Sequence, residues 1–370
     1  MPVSHGSGRP HSGVSEQPPI RLMIVDDSQI ARAVLSRMVS AYKDIEVVAT
    51  AGNAAEALDA LKSVRVDIVL LDVEMPGTSG LEALPEILRQ GNGARVMVVS
   101  SITEDRAEAT VRALALGASD TLPKPGTGTF GGKFSETLAE RLRNIGRVPG
   151  PQPLASPATE PLIGEARPMT VRAMPDYRLG CLALGASTGG LHALSEFLRA
   201  LPTEIGAPIL LTQHLPASFM PFFARQIEAA SGRLTSVAED GQPLQPEQIL
   251  IAPGDAHLEL SRYGGRVNVR LSHELVSSGC RPSVDPMLWS LGENYGKSGL
   301  GVVFSGMGRD GLVGSARLVG MGGAVIVQDQ QSSAVWGMPR AVAEAGLASA
   351  ILTPADLAKR VAARAEAGRI

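Results

Sequence analysis

The chain has 370 residues, 44% of them apolar but only 4% aromatic, and a formal net charge of −3. That length accommodates two domains, and the near-neutral balance gives no electrostatic case for nucleic-acid binding. No apolar run reaches a membrane span, residues 1–19 lack the apolar core of a signal peptide, and two cysteines, Cys181 and Cys280, build no disulfide framework. The expectation is a cytoplasmic α/β protein with reduced thiols.

Residues 1–19 read as a disordered polar tail with no assigned function. From 20 to 140 the pattern alternates strand and helix. A strand over 22–25 runs into Asp26-Asp27, and 29–42 has helical spacing. Further strands are expected over 46–50, 67–71, 95–99 and 120–122, with helices over 54–61, 81–89 and 104–116. Asp72 ends the third strand, Ser100 the fourth, and Lys124 follows the fifth. The logic of β-α-β units sets the first and third strands side by side, which gathers Asp26, Asp27 and Asp72. Clustered carboxylates repel, and a hard cation such as Mg²⁺ is the usual compensation. With Ser100 and Lys124 such a site could take a phosphoryl group on Asp72; plain helix-capping aspartates are the alternative.

Prolines then recur at 149, 151, 153, 157, 161, 168 and 175. That stretch supports neither a regular helix nor a central strand and reads as a linker over 141–177. Beyond it, a strand over 181–184 enters the turn Gly185-Ala186-Ser187-Thr188-Gly189-Gly190, and a helix over 191–201 follows. A serine there points out of the end of a sheet, beside backbone N–H groups that can stabilise negative charge. It needs a base. His5 and His11 lie in the tail, and His192, His257 and His273 have no catalytic-looking neighbour, whereas His214 closes the apolar strand 209–213. In parallel sheets catalytic groups gather at the carboxyl ends of strands, so His214 is either the base or a satisfied structural histidine.

Three aspartates compete as the orienting acid: Asp255, Asp285 and Asp310. Asp310 alone repeats the arrangement of strand, glycine turn, polar group and helix, in Ser305-Gly306-Met307-Gly308-Arg309-Asp310-Gly311 after the strand 301–304. The order Ser, His, Asp differs from the Ser, Asp, His order of α/β-hydrolases. The same turn also fits a dinucleotide fingerprint, Gly306-x-Gly308-x-x-Gly311, with Asp329 after the next strand as the ribose acid. On residues alone, a nicotinamide-dependent enzyme stays open beside a serine hydrolase.

Specific motifs now accumulate. Val25-Asp26-Asp27-Ser28, Leu71-Asp72-Val73-Glu74-Met75-Pro76-Gly77, Ser100 and Lys124-Pro125 resemble a response-regulator receiver domain. The Ser187 turn, Gln213-His214, 251–258, Arg281-Pro282-Ser283-Val284-Asp285, the 305–311 turn and Val335-Trp336-Gly337-Met338-Pro339-Arg340 resemble the chemotaxis protein-glutamate methylesterase family over 178–366. The resemblance implies a flavodoxin-like receiver at 20–140 and a doubly wound, mostly parallel, Rossmann-like catalytic domain. It implies Ser187 as nucleophile, His214 as base, Asp310 as its orienting carboxylate and the Met307 backbone N–H as oxyanion donor. It further implies phosphorylation of Asp72 by a histidine kinase, Mg²⁺ on Asp26, Asp27 and Asp72, no cofactor at the esterase site, and chemoreceptor glutamate methyl esters or glutamines as substrate.

The chain departs from that pattern twice. Thr121 stands where receivers commonly carry an aromatic switch residue, and Cys280 stands where histidine is expected before Arg281. We expect a monomer without membrane insertion or nucleic-acid partner, in which the unphosphorylated receiver covers the Ser187 cleft. A receiver-linked module that binds without turnover and a dinucleotide-dependent enzyme are the remaining alternatives.

Overall fold

The structure, a computed structural model, describes residues 18–100, 104–124, 132–146 and 169–367. The first unit runs β1 (Ile20–Val25), α1 (Gln29–Val39), β2 (Ile45–Ala51), α2 (Ala54–Ser63) and β3 (Ile68–Leu71). It continues with α3 (Gly80–Gln90), β4 (Arg95–Ser100), α4 (Glu104–Ala115), β5 (Asp120–Pro123) and α5 (Gly132–Gly146). Local chemistry sets the helix starts: the Ser28 side chain accepts from the Ala31 N–H, and Ser79 and Glu82 form a reciprocal capping box. The sheet order is β2-β1-β3-β4-β5, with every pairing parallel. Parallel sheets are covered on both faces, which is why β3 is an unbroken buried run of Ile, Val and Leu. Met23, Val25, Val69 and Leu71 face one apolar layer, and Leu22, Ile24, Ile68 and Leu70 face the other.

The second unit runs β6 (Cys181–Ala186), α6 (Gly190–Ala200), β7 (Ile209–Gln213), α7 (Met220–Ser231), β8 (Thr235–Val237) and β9 (Ile249–Ile251). An antiparallel hairpin, β10 (His257–Tyr263) and β11 (Arg266–Ser272), precedes α8 (Val284–Tyr295). The chain ends with β12 (Gly299–Val303), α9 (Leu312–Gly320), β13 (Ala324–Gln328), α10 (Met338–Glu344), β14 (Ala348–Leu352) and α11 (Pro354–Glu366). Seven strands form a parallel sheet ordered β14-β13-β12-β6-β7-β9-β8. The chain leaves β6 toward β7 on one side and returns to β12 on the other. The crevice at the carboxyl ends of β12, β6 and β7 is thus the topological switch point, where open α/β sheets bind ligands.

Two features lay beyond the sequence reading. Helix α5 extends to Gly146, past the expected boundary at 140, because its apolar face continues through the buried Leu142 and Ile145. The two units also share a continuous apolar layer: α4 packs on α6 and α7, with Leu114 in one cluster with Leu191, Leu215 and Phe219. Most of the expected linker (147–168) and of the tail (1–17) lies outside the described residues. Among the described residues no helix is long and apolar enough to cross a membrane.

Candidate active site

Three strand ends meet at the switch point. Ser187 follows β6, His214 follows β7, and Asp310 stands in the turn after β12. The Ser187 hydroxyl lies 3.0 Å from His214 Nδ1, and the other ring nitrogen, Nε2, lies 2.7 Å from an Asp310 carboxylate oxygen. This is the base-and-orienter geometry of a serine hydrolase. The nitrogens exchange the roles they have in the best-known triad, where the serine faces Nε2. Asp310 is held from behind: its carboxylate accepts from the Ser283 hydroxyl at 2.6 Å and from the backbone N–H of Val284 and Gly311 at 2.8 and 3.0 Å. Burial works against the Asp310 charge, but His214 and these donors outweigh it and hold its pKa at about 2. Burial likewise opposes a charged His214; hydrogen bonding to Asp310 and to Cys280 outweighs it and raises the ring to about 9.

The backbone that presents Ser187 depends on glycine at two places. Gly189 has φ +72°, in the left-handed region. A Cβ on Gly306 would come 2.8 Å from the Ser187 Cβ, so only glycine lets the two turns approach. Beneath them Phe197 of α6 and Phe304 after β12 pack edge to face, with ring centroids 5.2 Å apart, and lock helix to strand. The N–H groups of the serine turn are largely committed. Ser187 donates to the Ser305 carbonyl at 3.0 Å, Gly190 to the Ser187 carbonyl at 2.8 Å, and Gly189 to the carbonyl of Ser119 of the first unit at 2.6 Å. The expectation of a free anion hole there is corrected to that extent. Met307 lines the same cleft as Ser187 and His214.

The rival acids are placed elsewhere. Asp285 sits behind Asp310, accepts from the Gly314 N–H at 2.7 Å, and is raised to about 6 by burial and by the Asp310 charge. The Asp255 carbonyl faces His273 at 3.1 Å. His257 is buried between the Glu274 carbonyl and the Ser283 N–H, a structural role. Asp329 accepts from Ser332 within its own loop, and the Gly306–Gly311 turn serves Asp310, so the dinucleotide reading loses its two anchors. Cys280 lines the cleft, half-buried, beside His214.

In the first unit β1 and β3 are indeed neighbours. Asp26, Asp27 and Asp72 place one oxygen each within 4.8 Å of one another, and Lys124 Nζ lies 2.8 Å from Asp26 and 2.7 Å from Asp72. Burial, then the Asp26 charge, raise the Asp72 carboxyl despite Lys124. Ser100 closes β4, but its side chain lies outside the described residues. Two buried carboxylates, a third at the rim and a shared lysine suit a hexahydrated-type cation that retains some waters.

The cleft of about 490 Å³ around Ser187 has walls from both units: Leu114, Ser119, Asp120, Thr121 and Arg141 from the first face Ser187, His214, Cys280 and Met307. Asp120 accepts from Arg141 at 3.0 Å and from the Thr188 hydroxyl, next to the nucleophile. His192 Nδ1 meets the Ala115 carbonyl at 3.2 Å, and Arg225 pairs with Glu108 at 3.2 Å. Sequence reasoning gave Ser119, Asp120, Arg141, Glu108 and Arg225 no role and read Thr121 only as the receiver's switch position, because these residues reach the cleft or the junction only when the two units dock.

A family model described as CheB methylesterase matches residues 182–361, and one described as response regulator receiver domain matches 22–129. The chain is 38% identical to a protein-glutamate methylesterase/protein-glutamine glutaminase of Paramagnetospirillum magneticum, over 92% of this chain and 94% of that one. It is 39% identical to another from Caulobacter vibrioides, over 94% of this chain and 99% of that one. The crystal structure of the Thermotoga maritima CheB methylesterase catalytic domain is similar at 33% identity, with a TM-score of 0.49, covering 50% of this chain and 98% of that one.

Proposed function

From the premise that the chain belongs to the CheB methylesterase family, with a receiver domain at its N-terminus, we propose that Ser187, His214 and Asp310 hydrolyse glutamate γ-methyl esters on chemoreceptors under receiver control. The observation that carries this reading is the chain of contacts from Ser187 through both ring nitrogens of His214 to Asp310. Ser187 Oγ attacks the ester carbonyl while His214 Nδ1 takes the hydroxyl proton, and Asp310 stabilises the resulting imidazolium. The carbonyl oxygen, now negative, is held by the Met307 N–H. His214 returns the proton to the departing methoxide, releasing methanol and leaving an acyl-enzyme. A water deprotonated by His214 attacks this ester, and collapse returns the glutamate carboxyl and Ser187. With glutamine the leaving group is ammonia.

Control is proposed to come from the first unit. Asp72 accepts a phosphoryl group from a histidine kinase; Mg²⁺ held by Asp26, Asp27 and Asp72 would neutralise phosphoryl oxygens, with Lys124 beside it. The support is the docked arrangement: the first unit walls the Ser187 cleft and ties the Gly189 N–H and Thr188 hydroxyl through Ser119 and Asp120. Loosening that docking frees the cleft for a receptor helix. The protein is expected to act as a monomer.

Ser187→Ala removes the nucleophile, and methanol release from methylated receptor fragments is expected to fall on the order of 10⁴-fold or more. A fall of under tenfold would contradict the assignment.

A further inference from the structure

Cys280 transfers no proton and forms no bond in the reaction above, yet it stands in the cleft beside His214. The Cys280 sulfur, one His214 ring nitrogen and one Asp310 carboxylate oxygen all lie within 4.8 Å of one another. Cys280 is half-buried and follows Gly279, whose φ is +68°, at the end of an exposed loop over 273–279. The thiol is therefore open to the cleft and carried by a segment with few buried anchors.

We propose that Cys280, His214 and Asp310 form an inhibitory site for a zinc-class divalent cation inside the esterase cleft. The donor set selects the metal. Thiolate, imidazole and carboxylate together are the ligands of Zn²⁺ and its borderline neighbours, whereas Mg²⁺ and Ca²⁺ require oxygen shells. Bond lengths of roughly 2.0 to 2.3 Å in a tetrahedron put ligand atoms about 3.3 to 3.7 Å apart. To reach that spacing the 2.7 Å contact between His214 Nε2 and Asp310 must open. Ligand atoms up to 4.8 Å apart must close by up to about 1.5 Å, a movement the Cys280 loop can supply. Asp310 is already fixed by Ser283, Val284 and Gly311, which gives one ligand an orienting shell. The fourth position faces the cleft and takes water.

The charges close. The metal displaces the thiol proton and the proton on the ring nitrogen it takes, and both go to solvent. Thiolate and carboxylate then balance the 2+ charge with a neutral imidazole. Asp310 faces Nε2 of the ring, so the metal takes that nitrogen. The remaining ring proton then sits on Nδ1, which can no longer accept from Ser187, and catalysis stops.

This inference concerns regulation of the site proposed above and rests on that reading for its inhibitory effect, but metal binding itself is measured independently. The test uses the full chain under saturating Mg²⁺, which occupies the receiver carboxylates. Co²⁺ is titrated as the spectroscopic probe, and Zn²⁺ is titrated against methanol release. The proposal expects a near-ultraviolet thiolate-to-cobalt band that Zn²⁺ abolishes, and Zn²⁺ inhibition reversed by a chelator. In Cys280→Ser and Cys280→Ala the band should be absent, and at least tenfold more Zn²⁺ should be needed to halve each variant's own metal-free rate. Absence of the thiolate band in the parent overturns the proposal, as does equal Zn²⁺ sensitivity in both variants. A thiolate band without any methanol release leaves the metal site standing and contradicts the esterase reading instead.

Discussion

In the proposed reaction His214 carries the proton chemistry, and its surroundings set when it can do so. Asp310 and Cys280 hold the ring at about 9, above the ordinary imidazole value, so in the resting cleft it is mostly protonated at neutral pH. Only the neutral ring can take the Ser187 proton. Methanol release is therefore expected to rise with pH and to level off near 9. Asp310→Asn removes the anion: the maximal rate should fall on the order of 10⁴-fold, while the residual rise shifts toward the ordinary imidazole range. A pH–rate profile of parent and variant checks both, and an unshifted profile would contradict the role given to Asp310. Ser187 and His214 were legible in the sequence because each closes a short apolar strand, a placement the parallel sheet turns into a shared cleft. Choosing Asp310 over Asp285 was less secure on residues alone. The two lie close in space, and only the 2.7 Å contact to His214 separates the proposed orienting acid from the one behind it.

At the scale of elements, the alternation of apolar runs with helical spacing was enough to anticipate both parallel sheets. Where it failed, the cause is physical. The proline-rich stretch after 147 pulled the expected boundary of the first unit back to 140, although Leu138, Leu142 and Ile145 continue one buried helical face. Strands β8 and β9 have only three residues each, too few for any periodicity to register. Docking of the first unit over the cleft was expected, but which helices make it, α4 on α6 and α7, was not legible, because that depends on surface complementarity between separate units. The Glu108–Arg225 pair at that junction is exposed and worth at most about 1 kcal/mol. Glu108→Arg is accordingly expected to raise basal methanol release by up to about fivefold by setting two cations against each other. Adding Arg225→Glu restores the pairing and should return the rate to the parent level. If the double variant stays as active as the single one, the gain does not come from docking.

For the whole molecule, two parallel sheets are coupled by one apolar layer and by polar ties that end on the nucleophile turn. The Ser119 carbonyl holds the Gly189 N–H, and Asp120, anchored by Arg141, holds the Thr188 hydroxyl. These groups lie at the start of β5, while the acidic cluster lies at the other end of the sheet, around Lys124 after the same strand. Thr121, which replaces the common aromatic switch residue, is buried between them and passes its carbonyl to Arg141 at 2.7 Å. A change at Asp72 thus has a short physical route along β5 to Ser187, even without an aromatic switch. Phosphorylation at Asp72 is proposed to open a serine esterase. The most direct measurement is methanol release from methylated receptor fragments by the full chain, with and without a small-molecule phosphodonor and Mg²⁺, for the parent, Asp72→Asn and Ser187→Ala. Release should rise with phosphodonor in the parent, stay at the basal rate in Asp72→Asn and vanish in Ser187→Ala. Release by the parent that ignores the phosphodonor, or that rises equally in Asp72→Asn, would contradict the proposal.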